Sequence, residues 1–416
     1  MIIDSERYAG VCSCGRTHEM ETNFCVIESG CLKNIRDFMK QNGLQGYCVA
    51  VYDENTYRAA AGRCPRLDGE VILPARDLHA NEQGVALLLE KLPKETEIII
   101  AIGAGTVHDI SRYCAYKRNI RFVSCPTAAS VDGFCSSVAA MTWNGCKKTM
   151  TAVAPKIVVA DLDIIKKAPL RLTKSGFGDM VGKYISLTDW KIGNILTGEY
   201  HCERIAQMTF RAAKAAVDSI DGIIAGEETA YQKLIYGLVL SGLAMQMIGN
   251  SRPASGAEHH ISHLIEMRPE GLDVYSEALH GEKVGVGTLL VLEEYQKVSK
   301  GTNVGFGDYA AFSEEEMETV FGIERAAEIA GENREDAAAG LTEEKLRIQF
   351  SNMAAEIEKL PRVEDLRERY KKAEIKASLA DIEVSEDKVG LLLRYAPMVR
   401  NRLTLLRLLS RGAVHT

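Results

Sequence analysis

This chain of 416 residues lacks a surplus of basic charge: 50 lysines and arginines stand against 57 aspartates and glutamates, for a formal net charge of −7. That balance argues against nucleic acid, whose phosphates call for a clustered basic surface. It also lacks an apolar run long enough to cross a bilayer. The strongest, "IYGLVLSGLAMQMIG" over residues 235–249, is interrupted by Ser241 and Gln246 and falls short of the roughly 20 residues a span requires. It reads as a buried helix. No signal peptide precedes the first charged residues. The 11 cysteines are odd in number and show no paired spacing, which points to a reduced, cytoplasmic setting rather than a disulfide framework. One group stands apart: "VCSCGRTHE" holds Cys12, Cys14 and His18 within seven residues. Three soft ligands can hold zinc, but a closed structural site takes four, so the expectation is coil near the N-terminus with a metal as the alternative.

What is present is ordinary for a globular enzyme, 46% hydrophobic and 26% charged, and the length calls for two domains. Up to about residue 165, short β-rich runs alternate with helical stretches. "NFCVIESG", "GYCVAVYDENT", "VILP", "TEIIIAIG", "IRFVSCP" and "KIVVADLDII" read as strands, with helices in "LKNIRDFMKQNG", "NEQGVALLLEKL" and "GTVHDISRYCAY". Buried apolar strands alternating with helices predict a parallel, doubly wound sheet. Asn144-Gly145 lies between two strand-like runs, a hairpin signal. After about residue 168 proline becomes scarce and apolar residues recur at helical spacing, as in "EEEMETVFGIERAAEIAG" and "VEDLRERYKKAEIKASLADI", whose charge runs read as solvated faces. The expected organisation is an α/β domain over residues 1–167, followed by an all-α domain over residues 168–416.

Four motifs carry chemistry. In "AIGAGTVHD", Gly103 and Gly105 separate an apolar strand from a helix, where backbone can approach a pyrophosphate at the positive helix end. The third glycine of the dinucleotide fingerprint is missing, and Val107, His108 and Asp109 follow instead. Asp53, ending the second strand, can hold an adenosine ribose, or it is simply a turn residue in "DENT". In "CPTAASVDGFCSS", Thr127 and Ser130 can donate to a phosphate or an amide, and Asp132 can accept a substrate hydroxyl. In "TKSGFGDMVGKY", Asp179 sits between Gly178 and Gly182, close to a backbone bend.

The fourth motif, "SGAEHHISHLIEM", spends three of the nine histidines on five positions. Ser255-x-x-Glu258 reads as a capping box, so a helix should begin near Gly256. His259 and His263 then share a face, while His260 points about 100° away. His280 follows in "ALHGEKVGVGTL". Asp179, His259 and His280 make a carboxylate plus two imidazoles, a set suited to zinc or another borderline divalent ion with an open position.

In this order, "GAGTVHD", "PTAASVDGFCSS", "SGFGDMVGKY", "SGAEHHISH" and "LHGEKVGVGTL" resemble the superfamily of glycerol dehydrogenases, iron-alcohol dehydrogenases and dehydroquinate synthases, and most closely its sn-glycerol-1-phosphate dehydrogenases of the bacterial branch. The resemblance implies a Rossmann-like α/β domain and a dehydroquinate synthase-like helical domain, with NAD(H) or NADP(H) and one divalent metal, zinc or nickel ahead of iron. It places Gly105, Thr106, Val107, His108 and Asp109 on the cofactor pyrophosphate, and Asp53, Thr127, Ala128, Ser130 and Ser136 on other parts of the cofactor. Asp132, Asp179 and His263 fall on substrate, with Asp132 and His263 as catalytic candidates, and Asp179, His259 and His280 on metal. The family's His-x-x-x-His spacing makes His260 the extra histidine; the glycerol dehydrogenase spacing, His-x-x-His, would promote it. The implied reaction reduces dihydroxyacetone phosphate to sn-glycerol 1-phosphate in the cytoplasm. A homo-oligomer is expected, a dimer by preference, with no nucleic-acid partner. The alternatives are a glycerol or polyol dehydrogenase, a dehydroquinate synthase-like cyclase, and a non-catalytic NAD-binding sensor. The cyclase branch usually has glutamate as first metal ligand, where Asp179 stands here. Lys183 and Lys283 are candidates for the substrate phosphate by position.

Overall fold

A computed structural model describes residues 1–4, 8–143, 146–300 and 304–416, with the backbone alone at residues 146 and 147. The chain divides into two compact units. One is Met1–Met180 with Lys214–Asn250; the other is Val181–Ala213 with Ser251–Thr416.

The first unit is built on a seven-stranded sheet. In chain order its elements are β1 (Ile2–Asp4), a small hairpin of β2 (Gly10–Val11) and β3 (Thr17–His18), β4 (Phe24–Glu28), α1 (Ile35–Gln41), β5 (Cys48–Asp53), α2 (Glu54–Ala60), β6 (Gly69–Leu73), α3 (Glu82–Lys91), β7 (Ile98–Gly103), α4 (Gly105–Arg118), β8 (Arg121–Pro126), β9 (Val138–Trp143), β10 (Cys146–Thr151), β11 (Ile157–Asp161) and α5 (Leu162–Ile165). The sheet runs β1-β4-β11-β8-β7-β5-β6, parallel throughout except for β1, which pairs antiparallel with β4. The core shows why these sequences are strands. Along β7, Ile98, Ile100 and Ile102 enter one hydrophobic cluster while Ile99 and Ala101 enter the cluster on the opposite face. A strand buried on both faces needs an unbroken apolar run, and "IIIAIG" supplies it.

The reading of the α/β half matches the larger elements, but it missed β1, α2 and the β2–β3 hairpin, and Leu162–Ile165, read as the end of the last strand, turn into α5. Asp53 is the N-cap of α2: its carboxylate accepts from Thr56 N–H at 2.7 Å, and Thr56 Oγ1 returns the bond to Asp53 N–H at 3.0 Å. The segment read as coil around residue 12 forms the β2–β3 hairpin. The strands flanking Asn144-Gly145 do pair, Trp143 opposite Cys146, but that dipeptide lies outside the described residues.

After α5 come α6 (Leu170–Thr197), α7 (Glu203–Val217), α8 (Ile220–Ile224) and α9 (Glu228–Ile248); α6 and α7 contribute to both units. α9 contains the apolar stretch read as a buried helix and ends at Gly249 with φ +76°. Among the described residues no helix is long and apolar enough to cross a membrane.

The second unit is largely helical: α10 (Ala257–Met267), α11 (His280–Lys300), α12 (Glu314–Phe321), α13 (Ile323–Glu332), α14 (Glu343–Ile357), α15 (Val363–Lys372), α16 (Val389–Tyr395) and α17 (Leu405–Ser410), with a short pair β12 (Gly305–Phe306) and β13 (Val414–His415). "VEDLRERYKKAEIKASLADI" is helical only to Lys372; the chain then turns at Glu374, whose φ is +53°.

α10 begins where expected, but the predicted capping box is absent. Gly256 is the N-cap, and no side chain caps it. Glu258 Oε1 instead accepts from Gly256 N–H at 2.9 Å, and Ala257 N–H donates to Asp189 Oδ2 at 2.9 Å. A carboxylate 68 residues away in sequence does the work assigned to Ser255.

Candidate active site

In the first unit, neighbouring parallel strands β5, β7 and β8 end together, which brings Asp53, the Gly103–Gly105 turn and Thr127 to one edge of the sheet. In open α/β sheets the crevice outside the carboxyl ends of the strands takes the ligand. The two glycines of the turn differ. A Cβ on Gly103 would lie 2.5 Å from Val107 Cβ, so this glycine packs the helix onto the strand. A Cβ on Gly105 would meet only Val131 Cγ2 at 3.5 Å, so this glycine leaves open space before the first turn of α4. His108 N–H donates to the Ala104 carbonyl, which leaves Gly105, Thr106 and Val107 at the helix N-terminus, where orphan N–H groups attract an anion.

The His108 side chain works beneath that turn. It is buried, with Nδ1 3.0 Å from the Ala104 carbonyl, Nε2 2.9 Å from Ser124 Oγ, and its ring edge-on to Phe134. Burial, reinforced by the Arg112 guanidinium, pushes its pKa down to about 3, so the ring is neutral. Asp109, the next residue, ion-pairs with Arg112 Nε at 3.7 Å.

The loop after β8 is tied down residue by residue. Thr127 N–H donates to Gly103 O at 3.0 Å, Ser175 Oγ to Ser130 O at 3.3 Å, and Val138 N–H to Ser136 Oγ at 3.0 Å; Ala128 is buried between them. Asp132 N–H donates to Asp179 Oδ2 at 3.0 Å, and Asp132 Oδ2 accepts from Ser241 Oγ at 2.8 Å. The structure thus joins Asp132 and Asp179, which the sequence treated as separate motifs. It adds Ser241, whose signal was available: a hydroxyl interrupting an otherwise apolar helix.

In the second unit, His259 and His263 on α10 and His280 at the start of α11 form a triangle. Ring centroids are 5.9 Å apart for His259–His263, 5.4 Å for His259–His280 and 5.8 Å for His263–His280. His260 is outside it. Its ring is wholly buried, neither nitrogen has a hydrogen-bond partner, and desolvation pushes its pKa well below the usual histidine range. His263 is partly exposed, and desolvation likewise holds its ring neutral.

Two glutamates that the sequence reading did not single out for this job orient the rings. His259 Nδ1 donates to Glu258 Oε1 at 2.6 Å, and His280 Nδ1 donates to Glu266 Oε1 at 3.0 Å. A carboxylate can only accept, so each ring carries its proton on Nδ1 and presents a lone pair at Nε2. This is the outer-shell arrangement of metal-binding imidazoles, and the donor set fits a divalent ion. Glu266 was legible in principle, since it lies seven residues after His259 and three after His263, on their helix face. The two lysines named for the phosphate are both engaged: Lys183 Nζ donates to Ala254 O at 2.9 Å, and Lys283 Nζ pairs with Glu266 Oε1 at 3.1 Å.

The model of the iron-containing alcohol dehydrogenase family matches residues 26–169. Among solved structures, a probable glycerol dehydrogenase from Sinorhizobium meliloti 1021 superposes with a TM-score of 0.60 at 16% identity, covering 93% of this chain and 91% of that one. A sulfoacetaldehyde reductase from Bifidobacterium kashiwanohense, solved in complex with NAD+, gives 0.59 at 15% identity, covering 95% and 98%. The fold is therefore that of the glycerol dehydrogenase and iron-containing alcohol dehydrogenase structures. Sequence relatives narrow it further. The glycerol-1-phosphate dehydrogenase (NAD(P)+) of Bacillus subtilis (strain 168) is 32% identical over 411 residues, 95% of this chain and 93% of that protein. The Bacillus licheniformis protein of the same name is 38% identical over 300 residues, 70% and 74% of the two chains. The chain belongs to the glycerol-1-phosphate dehydrogenase family.

Proposed function

We propose that the protein catalyses the reversible, metal-dependent, NAD(P)H-linked reduction of dihydroxyacetone phosphate to sn-glycerol 1-phosphate. Residues 1–167 serve the cofactor, and residues 168–416 serve metal and substrate. The observation that carries this reading is the pair of imidazoles, His259 and His280, each with Nδ1 fixed by a carboxylate, in a chain of this family.

Asp179, His259 and His280 would hold one divalent ion, and their oxygen and nitrogen donors suit zinc or nickel in preference to iron. Bound there, the ion supplies Lewis acidity at the C2 carbonyl oxygen of the substrate. Gly105, Thr106 and Val107 offer main-chain N–H groups to the pyrophosphate, with His108 and Asp109 bracing the turn. Asp53, Thr127, Ala128, Ser130 and Ser136 would line the rest of the cofactor, which supplies hydride chemistry when bound. Asp53 keeps a negative charge at the ribose end, which favours NADH at least as much as NADPH. NAD(P)H bound there would supply the hydride, and His263 would supply the proton that the C2 oxygen takes, its neutral ring giving from one nitrogen as the other is reprotonated. Asp132 accepts a substrate hydroxyl. A cytoplasmic homodimer belongs to the same reading; the described cysteines form no disulfide, which suits a reducing compartment, and light scattering checks the dimer.

The test is NADH oxidation with dihydroxyacetone phosphate and dihydroxyacetone side by side, with chiral analysis of the product. Each charge-assisted contact to the substrate phosphate contributes about 1.5–3 kcal/mol. Two such contacts favour the phosphorylated ketone by about two to four decades in kcat/KM. Equal efficiency on both ketones, or sn-glycerol 3-phosphate as product, overturns the reading.

A further inference from the structure

We infer that the β2–β3 hairpin is a zinc site, separate from the catalytic metal, with Cys12, Cys14 and His18 as its ligands. The hairpin is only two residues deep on each side: Gly10 pairs with His18 and Val11 with Thr17. Val11 is 87% exposed, so the hairpin has almost no apolar core of its own. A hairpin of this size is marginal in water unless something else fixes it.

Its turn is shaped to converge ligands. Cys12 N–H donates to Arg16 O and Gly15 N–H to Cys12 O, both at 3.0 Å, and Gly15 adopts φ +86°, which side chains with a Cβ rarely take. The chain therefore doubles back directly after Cys14 and brings its Sγ to 3.4 Å from His18 Nε2. Ligand atoms of Cys12, Cys14 and His18 all lie within 4.8 Å of one another. In a tetrahedral zinc site with bonds of about 2.0–2.3 Å, ligand atoms stand roughly 3.3–3.8 Å apart, so a small contraction suffices.

The tautomer of His18 is set for this. Its Nδ1 lies 2.9 Å from the carbonyl of Met247, which can only accept, so Nδ1 carries the proton and the Nε2 lone pair faces the thiol. A backbone carbonyl behind a ligating imidazole is the usual outer support of a metal site. His18 and Cys12 are both buried, as structural zinc ligands are.

Two thiols and one imidazole on so short a hairpin hold three positions of a tetrahedral zinc. Binding exchanges thiol protons for the ion, with no change of oxidation state.

The experiment uses the full-length protein, as isolated and after cobalt substitution. We expect two metal equivalents per chain by elemental analysis, and thiolate-to-cobalt charge-transfer absorption in the near ultraviolet. Carboxylate and imidazole donors cannot produce that band, so it reports the hairpin alone. His259→Ala should lose one equivalent and keep the band; Cys14→Ser should lose the band, and His18→Cys should retain it. Wild-type cobalt protein without a thiolate band overturns the site whatever the variants do, and leaves the catalytic reading standing.

Discussion

At the carboxyl edge of the parallel sheet the groups on offer are main-chain N–H groups and glycine hydrogens, whereas on α10 and α11 they are ring nitrogens held by carboxylates. The first arrangement is made by the path of the backbone, so most side chains nearby are there to hold the turn, as His108 does under Ala104. The second exists only through particular side chains and the acids behind them. A backbone site should tolerate loss of side-chain function and fail when a Cβ is added. An imidazole site should behave in the opposite way.

The largest effect expected is at His259. His259→Ala should remove the catalytic metal and reduce kcat/KM by about three decades or more, given the several kcal/mol such an ion contributes. His260→Ala should keep metal and most activity, at a cost of a few kcal/mol in stability from the emptied buried volume. Metal analysis with steady-state kinetics checks both, and the reverse result moves the ligand to His260.

Next is Glu266→Gln, which keeps the shape but weakens the acceptor behind His280 Nδ1. Loss of such outer support typically costs 10–100-fold in metal affinity or activity. A chelator titration monitored by activity should show the weakened affinity, with kcat recovering as metal is added back.

On the sheet side, Gly105→Ala should raise KM for NAD(P)H several-fold while leaving the melting temperature unchanged or slightly higher, since the added Cβ meets nothing closer than 3.5 Å in the protein. Gly103→Ala should lower the melting temperature, because its Cβ would fall 2.5 Å from Val107 Cβ. Matched stability and KM changes in the two variants would erase the distinction between these glycines.

The smallest effect concerns pH. Burial raises the Asp189 pKa to about 7, above its unfolded value of about 3.9. The folded state therefore binds the proton more tightly, so this contribution to stability is fully present below about pH 4 and fades as pH rises through 7. Asp189→Asn should flatten the melting-temperature profile between these limits. It should also lower its maximum, because an amide NH2 must then face either Ala257 N–H or the donors from Leu405 and Tyr295.

The middle of the sheet was legible because β5, β7, β8 and β11 bury both faces and so write nearly unbroken apolar runs, whereas the edge strand β1 does not. The helical half was legible from its 3.6-residue period. What escaped were features too short to have a period or set from far away. The β2–β3 hairpin gives no alternation to read over two residues a side, and α2 is short and polar, so Asp53 and Thr56 looked like turn residues. The start of α10 was placed correctly for a wrong reason, since Ser255 and Glu258 satisfied a local rule while the N–H group of Ala257 was taken by Asp189. In the candidate site the three histidines stood out because they are rare and crowded. Glu258, Glu266 and Ser241 did not, because acidic and hydroxyl residues on helices are common, and only their partners in space distinguish them.

The carboxylate of Asp189 also bears on the order in which the molecule assembles. It gathers Ala257, Tyr295 and Leu405, at sequence separations of 68, 106 and 216 residues. Contacts that span so much chain are slow to form, because closure entropy is lost before any of them rewards it. The carboxylate that caps the first turn of α10, two residues ahead of His259, is therefore fully satisfied only once α17 has docked. A nascent chain would carry its histidines well before it could aim them, so the capacity to bind the catalytic ion tightly should be among the last properties acquired in refolding, trailing the far-ultraviolet signal of the helices.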